Sequence, residues 1–221
     1  MVVRVLALDY DGTIADNGST AIATTSALAR VRASGRRLVL VTGRILDDLR
    51  RVCPDFGRMF DAVVAENGAL LYLPANARTV PLAAAPDPAL LRALERRRVA
   101  FNTGTCIVAT TTRFADAARA AIHETRSAHA LELNKDSLML VPAGVTKGTG
   151  LRAALAELGA EAAATAAIGD AENDQSLLAA CGLGVAVADA VPALRALAQH
   201  VTRAPGSRGV IEFVEQLLAR S

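Results

Sequence analysis

Val2-Val3-Arg4-Val5-Leu6-Ala7-Leu8-Asp9-Tyr10-Asp11-Gly12-Thr13 decides how the rest of this 221-residue chain is read. The apolar run predicts a buried strand, and such a strand is normally followed by a neutral turn. Here it delivers two carboxylates two residues apart, followed by a glycine. Residues i and i+2 of an extended chain point the same way, so Asp9 and Asp11 can converge on one point. Two like charges that close disfavour each other's ionisation, and the usual compensators are a divalent cation or a shared proton. Gly12 lets the backbone turn away and leaves an amide N–H open to an anion. Read alone, the same pair also fits turn or cap aspartates.

Working outward, strand and helix patterns alternate. Ala21 to Ala33 carries apolar residues at helical spacing and stops at Gly35; Arg37 to Val41 is a second strand ending at Thr42-Gly43-Arg44; a helix marked by Ile45, Leu46, Leu49 and Val52 ends at Pro54. Ala62 to Ala65 is a third strand, and Asn67-Gly68 turns it into 69–73. From about Leu73 to Pro142 the rhythm changes. Strands near Thr79–Leu82 and Cys106–Thr111 and helices near Pro88–Arg97 and Phe114–Arg126 precede two close strands, near 131–133 and 138–141, that suggest antiparallel pairing. The first rhythm then resumes: a helix from Lys147, a strand at Thr165–Ile168 ending in Gly169-Asp170, a helix near Asp174, a strand at 183–187, a helix from Pro192, a short strand near Val201 and a closing helix from Gly209. The expected fold class is α/β: a mostly parallel sheet with helices on both faces, built from 1–73 and 143–221, with a small α+β insertion at 74–142.

Composition narrows the function classes. Apolar residues make up 52% and charged residues 21%, enough for a packed core. No apolar run reaches the ~20 residues that span a bilayer, and no signal-type segment opens the chain, so a soluble cytoplasmic protein without a membrane partner is expected. Cys53, Cys106 and Cys181 are widely spaced and read as buried thiols; His123, His129 and His200 have no ligand spacing. The basic stretch Arg92 to Arg98 reads as a solvated helix face, and aromatic residues at 3% offer few stacking platforms, so no nucleic-acid partner is expected. Monomer and homodimer both stay open.

Ligands of open parallel sheets bind beyond the carboxyl ends of the strands. Those ends carry Asp9 and Asp11, then Thr42, then Asp170 with Asn173 and Asp174, while Lys147 opens the helix after the insertion. The set offers oxygen ligands for a hard cation, a hydroxyl and N–H groups for an anion, and one ammonium. Mg2+ suits it, with Asp9 and Asp170 as direct carboxylate ligands, the backbone carbonyl of Asp11 as another, and Asp174 and Asn173 acting through water. Lys147, Thr42 and the amides near Gly12 and Gly43 would hold phosphate oxygens. Each residue taken singly also fits a turn, a cap or a surface lysine.

Together, Asp9-x-Asp11-Gly12-Thr13, Thr42-Gly43-Arg44, Lys147-Gly148 and Gly169-Asp170-x-x-Asn173-Asp174 resemble the four motifs of the haloacid dehalogenase (HAD) superfamily of phosphohydrolases. The insertion and Glu66-Asn67-Gly68-Ala69 resemble its Cof-type, subclass IIB branch, which includes sucrose-phosphate and archaeal phosphoglycolate phosphatases. The resemblance implies a Rossmann-like core with a mobile C2-type cap between the second and third motifs. It implies that Asp9 is the nucleophile, forming an aspartyl phosphate, and Asp11 the general acid and then base, with Thr42 and Lys147 stabilising the transferring group. It adds Gly43, Arg44 and Asn67 to the phosphate-binding candidates. Arg113, and Asn134-Lys135 in the turn between two cap strands, are candidate substrate contacts. A small phosphorylated metabolite is the expected partner. Tyr10 departs from the aliphatic residue commoner in this branch and is read as core packing. A phosphomutase and a phospho-accepting signalling module are the alternatives.

Overall fold

In the computed structural model, residues 2–16 and 18–219 are described; Met1, Arg220 and Ser221, the outermost residues of the expected core segments, lie outside them. The strands in chain order are β1 (Val5–Leu8), β2 (Arg37–Val41), β3 (Ala62–Ala65), β4 (Leu70–Leu73), β5 (Arg78–Pro81), β6 (Asn102–Thr103), β7 (Val108–Thr111), β8 (His129–Asn134), β9 (Ser137–Pro142), β10 (Thr165–Gly169), β11 (Leu183–Ala186) and β12 (His200–Val201). The helices that matter for the site are α1 (Ile22–Ala33), α2 (Leu46–Val52), α3 (Phe56–Met59), α4 (Pro88–Arg96), α5 (Ala115–Thr125), α6 (Lys147–Glu157) and α7 (Gln175–Ala179).

Eight strands form one sheet in the order β12-β11-β10-β1-β2-β3-β4-β5. From β12 to β3 neighbours are parallel, and β4 and β5 add on antiparallel. Parallel strands covered on both faces must be apolar throughout, and β1 (VLAL), β3 (AVVA) and β10 (TAAIG) are buried at every position. The chain leaves β1 toward β2 and β3 on one side and later returns through β10 to β12 on the other. The ends of β1, β2 and β10 therefore flank a topological switch point, where an open α/β sheet leaves a crevice for ligands. The register aligns Leu8 with both Leu40 and Ile168, so the residues that follow, Asp9, Thr42 and Asp170, emerge at nearly the same level.

The inserted unit is a four-stranded antiparallel sheet, β6-β7-β9-β8, with α4 and α5 on one face. Strand periodicity divides β9 between two layers. Leu138 and Leu140 pack with Leu90, Leu94 and Val108 inside the unit, while Met139 and Val141 face the large sheet and pack with Ile45, Ala69 and Ile107. A seam of apolar contacts thus joins cap and core.

Two features differ from the reading of the sequence. Strand β5, assigned to the insertion through its boundary at residue 74, is the edge strand of the large sheet. Pro74 opens a short 3-10 turn, and Ala77 in the left-handed region (φ 52°) completes a reversal that returns the chain beside β4. Strand β6 has no signal in the sequence, because its two residues are polar and exposed and carry no periodicity. Cys53 and Cys106 are buried, Cys181 is partly so, and all three are free thiols. Among the described residues no helix is long and apolar enough to cross a membrane.

Candidate active site

The N–H of Asp9 donates to the Ile168 carbonyl at 3.0 Å, carrying the β1–β10 ladder one residue past the strand. This brings Asp9 beside Asp170 and Asp174. All three are buried, and each offers a carboxylate oxygen within 4.8 Å of the others. At that separation a pair of unit charges repels by about 3 kcal/mol at an effective dielectric of about 20. Lys147 offsets the repulsion from a fully buried position, its Nζ donating to Asp9 Oδ1 and Asp174 Oδ1, both at 2.6 Å. Local sequence explains why the lysine is there. Thr146 caps α6, exchanging hydrogen bonds with Thr149, so Lys147 occupies the first helical position and reaches back toward the end of β1. The second oxygen of Asp174 accepts the backbone N–H of Asp170 (2.9 Å) and Ala171 (3.0 Å), which fixes the carboxylate.

Burial pushes the Asp9 carboxyl well above the ordinary aspartate value, repulsion from Asp174 and Asp170 adds to it, and Lys147 opposes both. Asp170 is also raised, chiefly by burial, with Lys135 pulling the other way. For Lys147, burial favours the neutral amine, but the combined pull of Asp174 and Asp9 holds the ammonium above the usual lysine range. The three clustered carboxylates thus share two ammonium groups, Lys147 on Asp9 and Asp174 and the more exposed Lys135 on Asp170.

The neighbouring amides show what fits there. Asn173 Nδ2 donates to Asn67 Oδ1 at 3.0 Å, which leaves Asn173 Oδ1 and Asn67 Nδ2 buried without a protein partner. A buried polar atom is costly to leave unpaired, so a buried acceptor and a buried donor beside an acidic cluster suit a cation and an anion respectively. An all-oxygen donor set with two to three carboxylates fits a hard divalent ion such as Mg2+.

Asp11 is not part of this cluster. Both its oxygens are taken by Arg44, through Nε at 2.6 Å and Nη2 at 2.7 Å, and the guanidinium lies 5.5 Å from the centre of the Tyr10 ring. Tyr10 is fully buried, as read, and its hydroxyl donates to the Gly18 carbonyl at 3.1 Å. It is also the platform on which Arg44 rests. Arg44, expected beside phosphate, is thus engaged by Asp11. Thr42 is buried, and its hydroxyl oxygen accepts the Arg44 N–H at 3.1 Å, turning the motif back over the strand end. Gly12 takes φ +83°, and a Cβ there would lie 2.4 Å from Asp170 Oδ2. Only glycine lets the β1 loop close against Asp170, whose Oδ1 also accepts from Thr13 at 3.1 Å.

Glu66 and Asn67 form the second shelf, both in the left-handed region with φ 55°. Glu66 is fully buried, and its carboxylate points to the cap, where its oxygens accept the N–H groups of Thr105 (2.9 Å) and Cys106 (2.7 Å). Asn67 points the other way, to Asn173. Gly68 follows because a Cβ there would sit 1.9 Å from the Thr146 carbonyl, at the start of α6.

Between core and cap lies a cleft of about 810 Å³, lined by Asp11, Gly12, Gly43 and Arg44 below and by Asn134, Lys135 and Met139 above. Lys135 reaches down from the β8–β9 turn and donates to Asp170 Oδ2 at 2.5 Å. Arg113 does not line the cleft. It is exposed after β7, with its guanidinium 4.5 Å over the ring of Phe114.

Residues 6–88 and 90–214 match the model of the haloacid dehalogenase-like hydrolases. The chain belongs to that family. Among its relatives, the phosphoglycolate phosphatase of Methanothermobacter thermautotrophicus is 31% identical over 98% of this chain and 99% of its own length. Phosphoglycolate phosphatase 2 of Saccharolobus solfataricus is 26% identical over 97% and 92%. A HAD-like hydrolase from Bacteroides thetaiotaomicron superposes with a TM-score of 0.83 at 18% identity, covering 97% of this chain and 99% of that one, and a subclass IIB sugar phosphatase with 0.78 at 18%, covering 97% and 98%. At that identity the two structures speak for the HAD fold. Within this HAD chain, the contacts that sequence reasoning missed are the Glu66 bridge to the cap, the Thr13–Asp170 hydrogen bond and the Tyr10 platform. Glu66 had a signal, an acidic residue at the end of an all-apolar strand.

Proposed function

We propose that the chain is a Mg2+-dependent phosphatase of small phosphomonoesters, phosphoglycolate or a sugar phosphate, acting through an aspartyl phosphate on Asp9 with Asp11 as general acid and base. The observation that carries the reading is the buried triangle of Asp9, Asp170 and Asp174, tied by Lys147 at a sheet switch point and bordered, through Gly12 and Lys135 on Asp170, by a capped cleft. The names of the relatives point to the same substrate class.

The residues divide the work as follows. The Thr42 hydroxyl, the Lys147 ammonium, the Asn67 amide and the backbone N–H groups near Gly12 and Gly43 hold the phosphoryl oxygens and orient phosphorus toward Asp9. An Asp9 oxygen forms a bond to phosphorus as the bond to the leaving oxygen breaks, and Asp11 gives that oxygen a proton. Asp11, now a carboxylate, takes a proton from a water that attacks phosphorus, and the Asp9–phosphorus bond breaks. In its acid role Asp11 donates, so it must turn one oxygen away from Arg44, and the return of that pair accompanies the base form. Asp9 and Asp170 would hold Mg2+ directly, with the Asp11 carbonyl, and Asp174 and Asn173 would act through water, since Asp174 already spends its oxygens on Lys147 and two N–H groups. Bound there, Mg2+ neutralises charge and lets a phosphate dianion approach an ionised carboxylate. The family of hydrolases disfavours the phosphomutase and phospho-accepting alternatives.

A panel of phosphomonoesters assayed for phosphate release with Mg2+ and with excess chelator tests the proposal. Turnover of two- to six-carbon esters that chelator abolishes is expected. Equal release under both conditions, or release from none, would contradict it.

A further inference from the structure

We propose that Lys135 is a specificity-determining residue: its ammonium exchanges the Asp170 carboxylate for an anionic group, a carboxylate, on the leaving half of the substrate. The inference rests on the phosphatase reading and names the class of ester, a phosphorylated hydroxy acid in preference to the corresponding alcohol.

Position comes first. Lys135 lies in the two-residue turn between β8 and β9, at φ 53°, and lines the cleft from the cap side. Its Nζ is 2.5 Å from Asp170 Oδ2 and within 2.9 Å of where a Cβ on Gly12 would stand, so the ammonium hangs directly over the loop that carries the nucleophile. The side chain is 54% exposed, unlike the fully buried Lys147. Among the described residues the other cation lining the cleft is Arg44, whose Nε and Nη2 are held by the two oxygens of Asp11. The acidic lining residues are largely engaged too. Asp11 holds Arg44, Asp16 accepts from Ser207, and Asp48 pairs with Arg51, which leaves the exposed Asp136 on the turn itself.

Asp170 cannot serve two cations equally. One of its oxygens accepts from Thr13 and the other from Lys135. A divalent ion at the Asp9–Asp170–Asp174 triangle draws on the same carboxylate and repels a nearby ammonium, so cation binding and the Lys135–Asp170 contact oppose each other. Displaced from Asp170, Lys135 stays in the cleft as the cap's charged donor on the side away from the sheet, where the leaving group must lie. A charge-assisted bond to a carboxylate there discriminates between an acid and the alcohol that lacks it.

Phosphoglycolate and ethyl phosphate share a two-carbon skeleton and differ in the carboxylate, so they make the test. For Lys135→Met, kcat/KM on phosphoglycolate should fall roughly 10- to 100-fold, mainly through KM, while that on ethyl phosphate changes little. Calorimetric titration with Mg2+ alone should show the variant binding a few-fold more tightly than the parent. Lys135→Arg should retain most of the preference for the acid. An equal fall on both esters, or unchanged Mg2+ affinity, would overturn the proposal. So would a parent enzyme that hydrolyses other phosphomonoesters but does not favour phosphoglycolate over ethyl phosphate, which leaves the phosphatase reading standing. If no ester is hydrolysed, the phosphatase reading fails and the specificity proposal with it, whatever the Mg2+ titration shows.

Discussion

Asp9→Asn is expected to lower phosphate release by roughly 10⁴-fold or more, the scale of losing a covalent nucleophile. The amide keeps the shape of the carboxylate but cannot form the acyl phosphate. Folding should survive, because the substitution removes one of three buried charges that repel each other. Steady-state release measured beside a thermal melt separates the two effects: activity at background with a melting temperature equal to or above the parent's is the expected pair of results. Turnover within tenfold of the parent would exclude Asp9 as nucleophile.

Lys147→Met should be the most destabilising substitution in the site. Methionine fills similar volume but leaves Asp9 and Asp174 buried without the ammonium that both oxygens face at 2.6 Å. Breaking a buried ion network from one side costs about 3–5 kcal/mol, and urea denaturation without metal should show a loss of that size. Mg2+ should recover part of it, because a ligand that binds only the folded state stabilises that state. An unchanged urea midpoint would mean that Lys147 does not compensate the carboxylates.

The same groups set the pH response of the metal-free protein. Lys147 is raised in the folded state, so its contribution is complete below the ordinary lysine value and is lost as pH rises through the folded value. Asp9 and Asp170 are raised as well, so the folded state holds their protons longer than the unfolded chain does. Their contribution is complete below the ordinary aspartate value and is lost as pH climbs through their elevated values.

The sheet was legible because a parallel strand buried on both faces must be a continuous apolar run, and β1, β2, β3 and β10 are such runs. The candidate residues were legible because they stand directly after those runs, where a sheet of this kind binds ligands. Less could be read where one residue serves two purposes. Pro74 looked like a domain edge and is a hairpin turn that keeps β5 in the core. Arg44 looked like a phosphate ligand, yet its partner Asp11 lies 33 residues earlier and its platform Tyr10 looked like plain core. Glu66 could not be assigned to the cap because its acceptor role depends on backbone N–H groups about 40 residues later, in a loop without periodicity. Arg113 had the right charge near a strand end, but β7 meets the cleft through Ala109 and Thr110, and Arg113, past the strand, lies outside the lining and over Phe114.

Chemical trapping addresses the central claim most directly. Borohydride reduces an acyl phosphate on aspartate to homoserine, so enzyme quenched during turnover and reduced should yield, by peptide mass spectrometry, homoserine at position 9 and aspartate at 11, 170 and 174. Phosphate release with aspartate intact at position 9, or with the label on another residue, would contradict the account.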